Sequence, residues 1–343
     1  MSLISIIIPC FNAENYIDRC MNTIVNQTIG IENLEVILVD DASTDHTLDK
    51  LKAWEQQYPD NVLVITYEEN LRQGGARNIG LQYATADYIG FVDADDWIEF
   101  SMYEKLYSCA LDGKYDMVQC KCTRDAYVGE HATDNSRQRN VSYTFEQREG
   151  FFIWDVPDYG DCGETGSIWS AIYKTSCIME NNIWFPEHVA YEDNYWLMVL
   201  HLYIKNLYVL DEVLYHYYVN TSSTTATKNA LHHLDRLDIE VGIIEAYKER
   251  GAFMLFHEVL EWNFIKRFYL NTLYIVFTRF DEIPEIFTIM KEKIFEYFPN
   301  WRHNPHISSC NQREELLLEL LELPNLTLED LYRVKKAYLA SLS

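Results

Sequence analysis

Three carboxylates fall within four positions at Asp93, Asp95 and Asp96, directly after the apolar run Tyr88 to Val92. Like charges this close repel unless a cation or hydrogen-bond donors compensate them, and carboxylate oxygens are hard ligands suited to Mg2+ or Mn2+. The same residues also read as a solvated acidic turn capping a helix, because Asp is favoured after strands and at helix starts. A second acidic group, Asp40, Asp41 and Asp45, follows the apolar run Leu34 to Val39. A third, Glu192-Asp193, precedes the apolar stretch Trp196 to Leu202. There a carboxylate offers a proton acceptor, and it equally complements a helix dipole.

These groups need elements that deliver them to one place. Leu3 to Pro9 is apolar and β-branched, and Pro9 ends it because it lacks an amide donor for a ladder. A loop over 10–15 follows, and Tyr16, Ile17, Cys20, Met21, Ile24 and Val25 then recur at helical spacing. Leu34 to Val39 repeats the strand, and Leu48, Leu51 and Trp54 mark the next helix. Val62 to Thr66 is a third strand, Gly74-Gly75-Ala76-Arg77-Asn78 opens a helix running through Leu81 and Ala84, and Tyr88 to Val92 is a fourth strand. Alternation of this length predicts an α/β fold with a doubly wound, mostly parallel sheet and helices on both faces. Ligands collect outside the carboxyl ends of such strands, where all these acidic groups would lie.

Residues 123–150 are polar and aperiodic and read as a long loop or insertion over the sheet. Aromatic residues return at Trp154, Tyr159, Trp169, Tyr173 and Trp184, with a turn-rich interruption over 162–167. The strand-like run Leu207 to Val213 leads into Tyr215-His216-Tyr217-Tyr218 and the hydroxyl-rich stretch Thr221 to Thr227. Beyond it the composition turns helical, which divides the chain into domains at 1–227 and 228–343. The stretch Phe253 to Phe280 is apolar but interrupted by Glu258, Glu261, Lys266 and Arg267, so it predicts a buried helix pair and not a membrane insertion. Thr327-Leu328-Glu329-Asp330 has the form of a capping box. The helical tail is either a subdomain packed on the first domain or a surface for a protein partner or a second copy.

With 28 basic and 53 acidic residues the net charge is -25, which argues against nucleic acid and against a general grip on anionic lipid. Eight cysteines without a C-x-x-C pair or regular spacing indicate neither a zinc site nor a disulfide framework, and fit reduced thiols in a cytoplasm. No segment reads as a signal peptide or a membrane span. Neither G-x-G-x-x-G nor G-x-x-x-x-G-K-[ST] follows a strand, which excludes the usual dinucleotide and P-loop sites.

Four segments, Ile6-Ile7-Ile8-Pro9-Cys10-Phe11-Asn12, Val39-Asp40-Asp41-Ala42-Ser43-Thr44-Asp45, Gly75-Ala76-Arg77-Asn78-Ile79-Gly80 and Phe91-Val92-Asp93-Ala94-Asp95-Asp96, together resemble family 2 glycosyltransferases of the GT-A fold in order and spacing. The likeness continues more weakly through Ser167 to Tyr173, Tyr191-Glu192-Asp193 and Leu214 to Tyr218, to about residue 227.

The resemblance implies an inverting, metal-dependent hexosyl- or N-acetylhexosaminyltransferase. Its donor would be a nucleotide-diphospho-sugar, usually UDP-linked, and its acceptor a glycan or lipid-linked sugar of surface polysaccharide synthesis. Pro9, Phe11, Asp40, Asp41, Arg77, Asp93, Ala94 and Asp95 would form the donor site, with Asp41 on the base and Asp40 or Asp45 as alternatives to it. Asp93 and Asp95 would hold Mn2+ or Mg2+, with His216 as a further ligand or phosphate donor, against the alternative of a structural histidine. Arg77 would aid the diphosphate or pair with the acidic loop. Asp193 would be the base, with Glu192 orienting it or binding the acceptor, while Asp96 and Trp169 would meet donor sugar or acceptor. Many relatives carry a basic residue near Tyr218, and the segment 217–220 has none. A sugar-phosphate nucleotidyltransferase would open with a Gly-rich loop where Pro9-Cys10-Phe11-Asn12 stands. A non-catalytic sugar-nucleotide-binding or scaffolding subunit would bind without turnover. The expected location is the cytoplasm, or the inner face of the membrane.

Overall fold

The structure, a computed structural model, describes residues 2–125, 140–153, 167–219, 227–324 and 326–342. They form two compact units, one ending at residue 219 and the other beginning at residue 227. The residues 126–139 of the expected loop, Trp154, Tyr159, the turn over 162–166 and the stretch 221–226 lie outside the described residues.

The first unit opens with strand and helix steps: β1 (Ile4–Cys10), α1 (Ile17–Val25), β2 (Leu34–Asp40), α2 (Thr47–Gln57), β3 (Val62–Thr66), α3 (Arg72–Tyr83) and β4 (Tyr88–Phe91). All seven residues of β1 are buried. A strand with no polar face fits only the middle of a sheet covered on both sides, and β1 lies between β2 and β4, parallel to each. Its side chains alternate between two cores. Ile6 and Ile8 join Cys20, Met21 and Ile24 of α1. Ile7 points the other way, onto Gly80 of α3, where an added Cβ would sit 2.4 Å from its side chain. The register sets Cys10 beside Asp40 and Ile7 beside Phe91, so the loops after β1, β2 and β4 leave one edge of the sheet.

The unit continues with β5 (Trp97–Ile98), α4 (Met102–Gly113), β6 (Met117–Asp125), β7 (Val141–Thr144), β8 (Glu146–Arg148), β9 (Phe151–Ile153), β10 (Ala171–Lys174), α5 (Thr175–Met179), α6 (Glu192–His201) and β11 (Asn206–Tyr218). The sheet order is β3-β2-β1-β4-β10-β6-β11-β5, with β7 also on β11. Strand β10 runs antiparallel to both β4 and β6, while β11 is parallel to β6. The carboxyl end of β11 therefore reaches the same edge as that of β4. This is the α/β GT-A architecture, with β10 reversed inside the sheet and β5 and β7 antiparallel to β11 at its flank.

The expected loop over 123–150 is partly strand. Val141 and Tyr143 alternate with exposed Ser142 and Thr144, a period of two that pairs β7 with the flank of β11. β8 and β9 form a separate hairpin.

An aromatic wedge ties the later part of this unit to β4. Phe91 meets Phe185 and Trp196 edge-on, at centroid distances of 5.5 and 5.4 Å, and Phe185 stacks on Trp196 at 4.9 Å. Truncating a buried Phe of this kind costs about 3–5 kcal/mol. The wedge brackets residues 185–196 and so fixes the segment that carries Glu192 and Asp193.

The second unit is helical: α7 (Asp235–Glu249), α8 (His257–Asn263), a π-helical turn over Phe264–Asn271, α9 (Thr272–Arg279), α10 (Phe287–Tyr297), α11 (Gln312–Glu322) and α12 (Leu328–Leu342). Phe264, Phe268, Tyr269, Phe277 and Phe298 are fully buried within it. The helix pair expected over 253–280 is one continuous helical run from α8 to α9. Thr327 and Asp330 cap each other reciprocally at the start of α12, as their spacing predicts. Among the described residues no helix is long and apolar enough to cross a membrane.

Candidate active site

The loop after β1 and the loop after β2 are laced together. The Asn12 side chain accepts from Thr44 N (2.9 Å), and Asn12 N donates to Ser43 Oγ (3.1 Å). Asn12 and Ala42 both sit in the left-handed region, at φ 49° and 58°. Phe11 is half exposed at this edge, above the buried Pro9.

The three carboxylates of the second loop have separate surroundings. Asp45 accepts from Thr47 N and Oγ1 and from Glu14 N. Burial works to raise its pKa, but these donors outweigh burial and hold the carboxyl below the usual range. Asp45 is thus occupied in starting α2. Asp41 N donates to Cys10 O, and its Oδ1 accepts from Leu71 N (2.7 Å) and Tyr67 Oη (2.9 Å). Burial still pushes its carboxyl upward. Asp40 is 2% exposed; its Oδ2 accepts from Thr66 Oγ1 at 3.3 Å, while Oδ1 is buried with no hydrogen-bond partner. A buried carboxylate oxygen left unsatisfied is a costly feature in a finished fold and a ready acceptor for a ligand N–H or O–H.

The turn after β4 closes through Asp96 N donating to Asp93 O (3.0 Å). Tyr215 of β11 sits behind it: Asp93 N donates to Tyr215 Oη, and Tyr215 Oη donates to Asp96 Oδ2 at 2.6 Å. Asp96 Oδ1 accepts from Tyr218 N (2.8 Å), and the side chain is 1% exposed. Burial, then Asp93 and Asp95, push its carboxyl well above the usual range. With both oxygens engaged, Asp96 fastens β11 to the turn instead of facing a sugar. Asp95 is pushed up to about 6, first by burial and then by Asp93, with Arg19 opposing.

Helix α3 carries the cation of the site. The Arg77 side chain, 2% exposed, donates through Nη2 to Asp93 Oδ1 (2.8 Å) and through Nη1 to Glu192 Oε1. One guanidinium therefore bridges the turn after β4 and the first turn of α6, so of its two expected roles the structure presents carboxylate pairing. Gly74, one turn earlier, makes the approach close: an added Cβ would lie 2.2 Å from Pro186 O and 3.1 Å from Glu192 Cγ. Asn78 then clasps the backbone of Phe185, accepting from its N (2.8 Å) and donating to its O (2.9 Å). Tyr191, immediately before α6, is held left-handed at φ 67°, a conformation that costs a non-glycine residue about 1–3 kcal/mol.

Glu192 is buried against Arg77, and Asp193 beside it is half-buried. Burial first, and the Glu192 carboxylate second, push Asp193 up to about 7, against the pull of Arg77. A carboxylate with that proton affinity can take a proton near neutral pH. Trp169 stacks on Tyr215 at 4.2 Å and on Tyr217 at 5.9 Å, which places it beside the turn after β4.

His216 is not brought to Asp93 and Asp95. Its ring stacks on Trp97 (5.2 Å, 5° between planes), and Nε2 lies 2.9 Å from Glu99 Oε1. Among the described residues no three His, Cys, Asp or Glu side chains converge as a metal cage. Asp93 and Asp95 are hard carboxylate donors of the type that would suit Mn2+ or Mg2+.

Sequence reading missed Asn78, Tyr215 and Arg19. Asn78 lay inside a recognised segment, so its position was visible and only its clasp was not. Tyr215 and Arg19 meet the turn after β4 across 119–122 and 76 residues of chain, and no local pattern announces such contacts.

Residues 5–169 match the family model described as Glycosyl transferase family 2. The chain is 29% identical over 230 residues to the uncharacterized glycosyltransferase YibD of Escherichia coli, covering 65% of this chain and 63% of that protein. It is 33% identical over 218 residues to the poly(ribitol-phosphate) beta-glucosyltransferase of Bacillus spizizenii, covering 63% of this chain and 32% of that protein. The chain thus spans less than two thirds of these curated relatives. Among solved structures it is similar in fold to residues 1–349 of S. aureus TarS in complex with UDP-GlcNAc, with a TM-score of 0.65 at 19% identity, covering 99% of this chain and 91% of that one.

Proposed function

The chain belongs, through residues 5–169, to the family 2 glycosyltransferases, and on that premise we propose an inverting transferase that moves a hexosyl or N-acetylhexosaminyl group from a UDP-sugar to a hydroxyl of a surface glycan. The observation that carries this reading is the Arg77 bridge, which ties Asp93 of the turn after β4 to Glu192, the neighbour of Asp193, through one guanidinium. UDP as the nucleotide is supported by the likeness to TarS, solved with UDP-GlcNAc, and a polymer acceptor by the likeness to the poly(ribitol-phosphate) beta-glucosyltransferase. The work site is the cytoplasm or the inner membrane face.

The base and ribose of the donor lie along Phe11, Asp40 and Asp41, where the unsatisfied Asp40 Oδ1 accepts a donor N–H or O–H. Asp95 and Asp93 would hold a divalent cation, which would supply neutralising charge to the leaving diphosphate. Glu192, fixed by Arg77, orients the first turn of α6, so that Asp193 faces the acceptor hydroxyl. The acceptor oxygen forms a bond to the anomeric carbon from the face opposite the nucleotide. The bond from that carbon to the phosphate oxygen breaks, and its electron pair leaves with UDP. The hydroxyl proton passes to the Asp193 carboxylate. Trp169, stacked on Tyr215, offers a flat apolar face to a sugar ring.

A panel of nucleotide sugars assayed with Mn2+ tests the reading. UDP release from a UDP-hexose or UDP-N-acetylhexosamine, with inverted anomeric configuration in the product, is expected. Release from none of the panel, or retained configuration, would overturn it.

A further inference from the structure

The turn over 93–96 is anchored from three elements: Arg77 of α3 holds the Asp93 side chain, and β11 and α1 hold the rest. Asp93 N and both oxygens of Asp96 are held by Tyr215 and Tyr218. The peptide that carries Asp95 is held instead from α1: Arg19 Nη2 donates to Asp95 O at 2.5 Å. The guanidinium is itself placed by two rings. Its central carbon lies 4.2 Å from the centroid of Trp97 and 4.7 Å from that of Tyr218. Trp97 in turn stacks on His216, and Tyr218 packs against Tyr16 at 5.6 Å. Arg19 Nε is buried without a hydrogen-bond partner, so the planar group is oriented chiefly by stacking and by the single bond to Asp95.

From this arrangement we infer that Arg19 is a positioning residue, which fixes the peptide of Asp95 so that its carboxylate is presented for divalent cation and donor diphosphate. The inference rests on the glycosyltransferase reading. A planar, permanently charged guanidinium is suited to this place in a way that other side chains are not. It lies over the faces of two aromatic rings and donates in its own plane, whereas an ammonium has no plane to lay on a ring and would be drawn toward water. Its charge also lies near the Asp95 carboxylate, while Arg77 bonds that of Asp93. The residue was not legible beforehand, since it belongs to the exposed spacing of an amphipathic helix. It also supplies a guanidinium next to Tyr218, where the segment 217–220 has no basic residue.

The test is UDP binding by calorimetry, with and without Mn2+, for wild type, Arg19→Met, Arg19→Lys and Arg19→Gln. Arg19→Met is expected to weaken UDP binding at least tenfold in Mn2+ and to leave the weaker Mn2+-free binding within twofold. That unchanged Mn2+-free affinity also reports an intact fold. Arg19→Lys should recover less than half of the loss on a logarithmic scale, because it restores charge without the stacked plane. Should Arg19→Met fail to fold, Arg19→Gln and Arg19→Lys carry the same comparison. An unchanged Mn2+ dependence in the variants overturns the inference and leaves the functional reading standing. Equal losses with and without Mn2+ overturn it in favour of a direct phosphate contact or a general structural role. Wild-type UDP binding indifferent to Mn2+ overturns both the inference and the metal-dependent reading.

Discussion

Gly74→Ala sets helix propensity against geometry, and the two have opposite signs. Within an exposed helix the substitution would stabilise α3 by about 0.5–1 kcal/mol. Here the new Cβ would meet Pro186 O at 2.2 Å, a backbone atom that no rotamer change can remove. Reaching even 3.0 Å requires a shift of about 0.8 Å between α3 and the segment that leads into α6. That segment carries Glu192 and Asp193, and Arg77 lies one turn along the moving helix. A displacement near 1 Å of a catalytic group can lower a rate about 100-fold. We therefore expect Gly74→Ala to reduce kcat/KM for transfer by roughly 100-fold, with UDP affinity in calorimetry within about threefold of wild type, since Asp40, Asp41 and Asp95 lie on other elements. Transfer within about threefold of wild type would refute the claim that this contact sets the position of the acceptor-side carboxylates.

Arg77→Met leaves two carboxylates without their cation, and breaking a buried pair in this way costs about 3–5 kcal/mol in a denaturant melt. The further change Glu192→Gln should recover part of that loss, and strict additivity of the two would contradict the pairing. Because Asp193 is pushed up to about 7, a base role for it in its ionised form predicts that kcat/KM rises about tenfold per pH unit below 7 and levels off above it; a flat profile from pH 5.5 to 8 would exclude Asp193 as the base. In the helical unit, burial pushes Glu240 up to about 7 against the pull of Arg267 and Arg236. A carboxyl raised in the fold contributes stability below the usual carboxylate range and loses it as pH rises through about 7. Glu240→Gln should therefore stabilise the protein at pH 8 by up to about 3 kcal/mol and change little at pH 5, as read by thermal melts.

The order of strands and helices through residue 92 was legible because each βα step repeats one pattern: an apolar run, a polar loop, then apolar residues at helical spacing. The meeting of the acidic loops at one edge followed from parallel pairing. Strand β10 was not foreseen as a reversed insertion, since a short buried run such as Ala171–Lys174 carries no mark of direction. At the site, residue types were legible and their orientations were not. Asp96 and Asp93 look alike in sequence, yet Tyr215 turns the first inward and Arg77 holds the second at the edge. Asp45 and Asp41 differ in the same way, one capping α2 and the other gripped by the loop over 67–71. His216 drew notice as a ligand because histidine binds metals; its stack on Trp97 depends on the pairing of β5 with β11, across 119 residues of chain.

In the proposed function the work is divided between two carboxylates, with Asp95 gripping the donor and Asp193 accepting the proton. The most direct test is a paired measurement of Mn2+-dependent UDP affinity and sugar transfer in Asp95→Asn and Asp193→Asn. The division predicts that Asp95→Asn abolishes Mn2+-dependent UDP binding, while Asp193→Asn keeps UDP affinity within about threefold and loses transfer by at least 1,000-fold, within the range of general base catalysis. Undiminished transfer in Asp193→Asn, or undiminished metal-dependent binding in Asp95→Asn, would contradict it.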